Sequence, residues 1–471
     1  MSQPARAEVF GHPKGLAYLA FTEAWERFSF YGMQTLLMLY MVGELLKPGH
    51  FERVLGLGLL RHALEGLLGP MTTLGLASMI FGLYSGFAYF LPVFGGAVGD
   101  RWLGQSRCVM IGAIMMALGH FLMSFEAPFL LALLCLILGS GFLKGNINTQ
   151  VGRLYGPGDR RRTEAYQVFS IGINLGVVAA PFVCGTLGEF YGWRWGFGAA
   201  GVGMLVSLAI YVCGRRHLPP DDIRRAGQPR AGLQPGDGRI VLALMVVLAV
   251  VTAFLTSIGQ TGSIYLVWVQ RYVDRSAFGF TLPATWLLSV TGFGSMILPP
   301  LLLRAWRWQA ARGAEPAMVA KIGVGAALAA LACLVLAALA ATAERTGTRV
   351  AWPWLLVFHL LVTFGYLYLW PVGMALFSRA GPAAINATLI GVYFLSHFVS
   401  NLTIGWLGHF YEQMSPTRFW LMQAAIGAAG ALVILVLRRP LSRVLAPSDL
   451  EATVSASNGL ASTVPAAGVP K

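Results

Sequence analysis

Twelve stretches of about 20 mostly apolar residues follow one another along this chain, each long enough to cross a bilayer as a helix. No soluble fold could bury them all. They lie near 16–42, 74–98, 108–124, 127–149, 164–190, 195–213, 240–270, 283–303, 319–342, 352–378, 384–411 and 417–438. In hydrocarbon every backbone N–H and C=O must be satisfied inside the segment itself, so these stretches are expected to be helices. Composition agrees, because of 471 residues 56% are hydrophobic and 11% charged, too few charges to cover a soluble surface of that size. The expected fold class is an all-α polytopic membrane protein with 12 transmembrane helices.

A basic, Pro-containing stretch divides the runs into two groups of six, the pattern of two six-helix bundles joined by a linker. The expected organisation is an N-terminal bundle over 1–214, a cytoplasmic linker over 215–239, a C-terminal bundle over 240–438 and a cytoplasmic, largely disordered tail over 439–471. Residues 1–14 are polar and no small-residue cleavage site follows the first run, so that run is expected to remain as a helix.

A formal net charge of +14 raises the question of nucleic acid, and the placement of the charges answers it. The basic residues sit in short connections between apolar runs, not on one face of a soluble module, so no nucleic-acid partner is expected. Of 34 Lys and Arg, 23 fall on the side shared by both termini and the even-numbered connections, and 9 on the other. The positive-inside rule then places both termini in the cytoplasm of a cell membrane, plasma or inner, crossed many times. No metal-ligand cluster, nucleophile motif or phosphate-binding loop is apparent, so neither enzymatic activity nor a cofactor is expected. The five cysteines have no short paired spacing and read as packing residues.

Charge inside a span is costly and marks function by default. Glu23 and Glu26 are the acidic residues well inside a span, and Arg27 sits beside them. Offsets of three and four put all three on one helical face. One carboxylate can pair with Arg27 while the other carries a proton; the alternative is an ion pair that only fixes helix packing. Lys144, in GFLKGNINTQ, is a second case. It either snorkels to the interface or joins Arg27 as a cationic anchor for a substrate carboxylate. His359 and His397 also lie in spans, where a histidine serves proton movement or hydrogen-bonded packing.

EAWERFSFYGMQTLL (residues 23–37) resembles the Glu-x-x-Glu-Arg signature of the first helix of the proton-dependent oligopeptide transporter family, including the aromatic-Tyr-Gly that follows. GGAVGDRWLGQSR resembles the loop between helices 2 and 3 of the major facilitator superfamily, which contains that family. GFLKGNINTQVG, FSIGINLGVVAAP, IGQTGSIYL and PVGMALFSRAGPA match further helices in the family's order. The resemblance implies the major facilitator fold and proton-driven uptake of a small peptide or peptide-like substrate, with the proton as coupling ion. It implies that Glu23, Glu26 and Arg27 serve proton coupling, with Arg27 also touching substrate, and that Lys144 binds the substrate carboxylate. Peptide contact is implied for Tyr31, Asn174 and Gln260, with Tyr84 or Tyr89 as weaker candidates, and Asp100 and Arg101 are expected to pair at the cytoplasmic gate. The partners expected are substrate, protons and membrane lipid, and the chain is expected to act as a monomer.

Departures from the family pattern fall in the pocket. Where the family has a helix 10 Glu, five residues before the Pro of the PVG run, this chain has Tyr366 before Pro371. The resemblance credits that carboxylate with facing the peptide's amino terminus and pairing with the helix 4 Lys, and a neutral phenol does neither in the same way. Tyr366 therefore takes the place of a substrate-binding residue. Phe30, Gln34, Ser170 and Tyr393 stand where the family has Tyr, Arg, Tyr and Trp, and Thr291-Gly292 replaces Asn-Pro. The carboxylate end of the site is kept and the amine end altered, so a proton-coupled carrier of a different small anion is the alternative expectation.

Overall fold

The computed structural model describes residues 8–9, 11–156, 159, 161–221, 223, 234–277, 279–382 and 384–445. Among the described residues, twelve long helices fall on the twelve apolar runs. The first six are α1 (Lys14–Tyr40), α3 (Thr73–Val98), α4 (Gln105–Leu122), α5 (Phe129–Arg153), α6 (Arg161–Ala180) and α7 (Trp193–Gly214). The second six are α8 (Asp237–Gly259), α10 (Trp286–Ala310), α11 (Met318–Thr346), α12 (Trp354–Ala380), α13 (Asn386–Gly408) and α14 (Pro416–Leu445). Eleven are long and apolar enough to cross a membrane. α1 is as long, and its lower hydropathy reflects the polar and charged residues it carries, Glu23, Glu26 and Arg27 among them.

One further helix has no counterpart among the expected spans, and one expected span is broken in two. α2 (Leu57–Leu68) lies between α1 and α3, with Leu57 and Leu64 buried and Leu59 and Leu67 exposed. The seventh run is broken by a 3-10 turn at Gln260–Gly262, beyond which α9 (Ile264–Tyr272) completes it. Three two-residue strand pairs tie loops together and leave the fold all-α in substance. The expected tail differs at its start, since α14 continues to Leu445 and residues 439–445 are helical. Residues 446–471 and most of 222–233 lie outside the described residues.

The two halves repeat one packing order. α4 lies on α5 and α7, and α1 on α6 and α7; in the second half α11 lies on α12 and α14, and α8 on α13 and α14. The halves meet chiefly through α3 against α13, with glycines allowing the approach. A Cβ at Gly82 would fall 2.5 Å from the Asn401 carbonyl oxygen and 2.8 Å from the Gly405 Cα. These contacts lie toward the end of the bundle opposite the termini. There Glu189, beyond α6, accepts hydrogen bonds from the backbone N–H groups of Ala284 and Thr285 at 3.0 Å and from the Thr285 hydroxyl at 2.7 Å. Arg275 Nη1 is 3.5 Å from the same carboxylate. At the end that carries the termini, α5 and α12 make no comparable contact. The halves are therefore closed away from the termini and parted beside them.

Candidate functional site

α1 brings three charges to its inner face because Glu23, Glu26 and Arg27 are spaced by a helical turn. Glu23 and Glu26 are fully buried. Arg27 Nε donates to Glu23 Oε1 at 2.7 Å, and Nη2 lies 2.6 Å from the same oxygen. Glu26 Oε2 is 3.1 Å from Arg27 Nε, yet neither Glu26 oxygen accepts a hydrogen bond. Arg27 Nε has one hydrogen, and Glu23 takes it, so Glu26 has an ion contact and free lone pairs. The two carboxylates are thus unequal: one is held by a two-nitrogen contact, the other enclosed without a donor.

Lys144 on α5 lies about as far from the termini end of the bundle as Glu23 does on α1. It does not snorkel. The residue is 7% exposed, and its Nζ sits 3.4 Å from the centre of the Phe30 ring and 5.5 Å from that of Tyr89. Among the described residues no acceptor reaches Nζ. An ammonium over an aromatic face is attracted by the ring quadrupole, and its three hydrogens remain unused. Phe30 is where the sequence departs from the family's tyrosine, and it is the ring on which the ammonium rests.

The second half contributes aromatic rings where the first contributes charge. His397 on α13 is stacked on Tyr89 of α3 at 4.4 Å and lies 4.4 Å from Trp370 of α12. Tyr366 is stacked on Trp370 at 6.3 Å, and Tyr393 donates to the Trp370 carbonyl oxygen at 2.7 Å. The phenol groups of Tyr31, Tyr89 and Tyr366 lie near one another across the halves. No acidic residue of the second half lies well inside a span. His359 is enclosed, with the Tyr265 hydroxyl 2.8 Å from one ring nitrogen and the Thr291 hydroxyl 2.8 Å from the other.

Not every expected site residue joins this group. Asn174 is half-buried and donates to the Ser170 carbonyl oxygen at 2.9 Å, within its own helix. Gln260 is fully buried and donates to the Ile404 carbonyl oxygen at 3.1 Å. It ties the α8–α9 turn to α13 and in this conformation presents no surface to a substrate. Tyr84 is likewise enclosed. Asp100 and Arg101 do not pair with each other. Asp100 accepts from Gln105 at 3.1 Å, Arg101 is exposed, and Arg153 donates to the other end of Gln105 at 3.0 Å. Adjacent residues on a helix point about 100° apart, which argues against an Asp-Arg pair at that spacing. No pattern in the sequence marks Phe30 as the seat of Lys144, or Trp370, or the Glu189 latch, whose sequence signal is an acid at the far end of a span.

The POT family model matches residues 106–226 and 232–421. The peptide transporter YePEPT of Yersinia enterocolitica is 29% identical, over 92% of this chain and 96% of its own length. A di-/tripeptide transporter of Lactococcus lactis subsp. cremoris is 25% identical, over 93% of this chain and 97% of its own. The crystal structure of a peptide transporter POT in complex with sulfate superposes with a TM-score of 0.83 at 25% identity, covering 93% of this chain and 97% of that one. A variant of a peptide transporter POT in complex with alafosfalin gives a TM-score of 0.82 at 25% identity, over 94% and 97%. With the family model spanning most of the chain and the fold matching over nearly its full length, this multi-pass membrane protein belongs to the POT family.

Proposed function

We propose that the chain is a proton-coupled symporter that imports di- and tripeptides or peptide-like compounds by alternating access of its two six-helix halves. The observation that carries this reading is the enclosed charge cluster of α1 and α5. It holds two carboxylates unequally and an ammonium with no acceptor. A carboxylate without a donor is a place for a proton, and an ammonium without an acceptor is a place for a substrate carboxylate. The relatives named as peptide and di-/tripeptide transporters support the substrate class. The excess of Lys and Arg on the termini side supports cytoplasmic termini in the cell membrane, and the parted end of the halves is then the cytoplasmic one. The protein works as a monomer, with the proton as coupling ion and no cofactor.

A second reading, carriage of a different small anion, is favoured by Tyr366 and by the absence of a carboxylate deep in the second half. Displacement of a labelled dipeptide by free, N-acetylated and C-amidated dipeptides separates the two. Peptide transport requires that the free dipeptide compete. Absence of saturable dipeptide binding, with saturable binding of simple organic anions instead, would overturn it.

A further inference from the structure

Between α10, α11 and α12, at the termini end of the bundle and apart from the charged cluster, lies a cavity of about 800 Å³. Packing explains it. α10 lies against α12 much less extensively than its counterpart α3 lies against α5, and the consecutive helices α10 and α11 scarcely touch. Pro299 on the cavity wall and Pro300 beside it supply no backbone donors at that point of α10. The cleft is floored by one edge of α12 and flanked by α10, whose outer face is largely exposed and therefore lies against lipid.

Two chemically distinct parts make up the lining. The inner wall is apolar, from Leu302 and Leu303 of α10 to Leu367, Val372 and Ala375 of α12. The rim is cationic and rich in donors. Lys321 lies 3.9 Å from the centre of the Trp306 ring and is paired with Glu315, the acidic residue of the lining. Among the described residues Arg379 has no carboxylate partner, and its Nη1 reaches the Met318 sulfur at 3.5 Å. The enclosed indole N–H of Trp306 has no acceptor among the described residues. Arg304, Arg307 and Arg312 are exposed at the same end of α10, and the Arg312 guanidinium lies 3.7 Å from the centre of the Trp308 ring.

A free anion would need the rim and not the apolar wall; a neutral chain would need the wall and not the rim. Both are satisfied by one molecule with a phosphodiester at the membrane interface and a hydrocarbon chain directed inward. We propose that this cavity binds an anionic phospholipid, its phosphate facing Arg379, Lys321 and the Trp306 N–H and an acyl chain lying along Leu303, Leu367 and Ala375. Occupancy would brace α10 against α12 where protein packing is sparse. The site is independent of what the transporter carries; only its assignment to the cytoplasmic leaflet rests on the orientation proposed above.

The test is native mass spectrometry of the full chain released from nanodiscs of equal phosphatidylethanolamine and phosphatidylglycerol, with two variants. Lys321→Gln with Arg379→Gln removes the rim charge, and Ala375→Trp fills the slot while leaving every cation in place. The wild type is expected to retain phosphatidylglycerol over phosphatidylethanolamine by about fivefold or more, as one net positive charge implies, Lys321 being shared with Glu315, and each variant to lose that preference. If the charge variant does not fold, Ala375→Trp alone decides. Equal retention of the two lipids by the wild type overturns the proposal. So does a preference that survives Ala375→Trp, which would assign it to the exposed arginines. Displacement of the lipid by millimolar glycerol 3-phosphate would also overturn it, since the site would then take a water-soluble anion.

Discussion

Lys144→Met keeps the length and apolar bulk of the side chain and removes its charge. In the structure Nζ lies 3.4 Å from one ring centre and 5.5 Å from another and has no hydrogen-bond acceptor among the described residues, so the substitution costs the empty protein only these cation–π contacts, about 2 kcal/mol or less. That loss is offset by no longer burying a charge. In the bound state the loss is larger, because a substrate carboxylate would be left enclosed and facing Arg27, which already serves two glutamates. Truncating one partner of a desolvated pair costs about 2–5 kcal/mol, roughly 30- to 5000-fold in affinity. The amide of the same dipeptide carries no such charge and should lose no more than a few-fold. Competition against a labelled dipeptide, run with matched free-acid and amide forms on wild type and variant, reads both numbers. Equal losses for acid and amide would mean that Lys144 only holds α5 to α1 and α3, and the assignment of the carboxylate end of the site would fail.

Three further outcomes follow from the same geometry. In Glu23→Gln with Glu26→Gln the neutral amides mimic protonated carboxyls and cannot release a proton; gradient-driven accumulation should disappear while substrate exchange at equal pH persists, as measured in parallel uptake and counterflow assays. Tyr366→Glu should restore a charge-assisted contact worth about 1.5–3 kcal/mol for a peptide's ammonium. The wild type should accept N-acetylated dipeptides nearly as well as free ones, and the variant should favour the free amine; a wild-type preference of about a hundredfold, or some 2.7 kcal/mol, would contradict this. Glu189→Ala removes three hydrogen bonds that join the halves away from the termini. A loss of about 1–3 kcal/mol shifts the equilibrium toward the state open on that side by roughly 5- to 150-fold, readable as a longer interspin distance between labels at the far ends of α6 and α10.

The spans and the charged cluster are legible in the sequence for one reason: hydrocarbon tolerates few residue types, so length and any charge stand out. Glu23, Glu26, Arg27 and Lys144 are brought together, and the helical spacing of the first three is enough to place them on one face. What surrounds them is not legible. In a chain that is 56% hydrophobic, the face of a helix that lines a site and the face that meets lipid are built from the same residues, so periodicity does not separate Tyr31 from Tyr84. Gln260 shows the consequence. As a polar residue in a span it reads as a binding residue, yet it is spent on the backbone of α13 at a broken helix. Asp100 shows another: its neighbour in sequence is Arg101, but its partner is Gln105, held by Arg153 from α5. The stack of Tyr89, His397 and Trp370 joins three helices from two halves, and no local pattern announces it.

Coupling of substrate to protons through the α1 cluster is decided by uptake of radiolabelled dipeptide into proteoliposomes under an imposed inward proton gradient. Accumulation above the equilibrium level is expected, abolished by a protonophore and absent with Glu23→Gln and Glu26→Gln together. Accumulation of the dipeptide that ignores the gradient, or that the double variant carries out as well as the wild type, would contradict it.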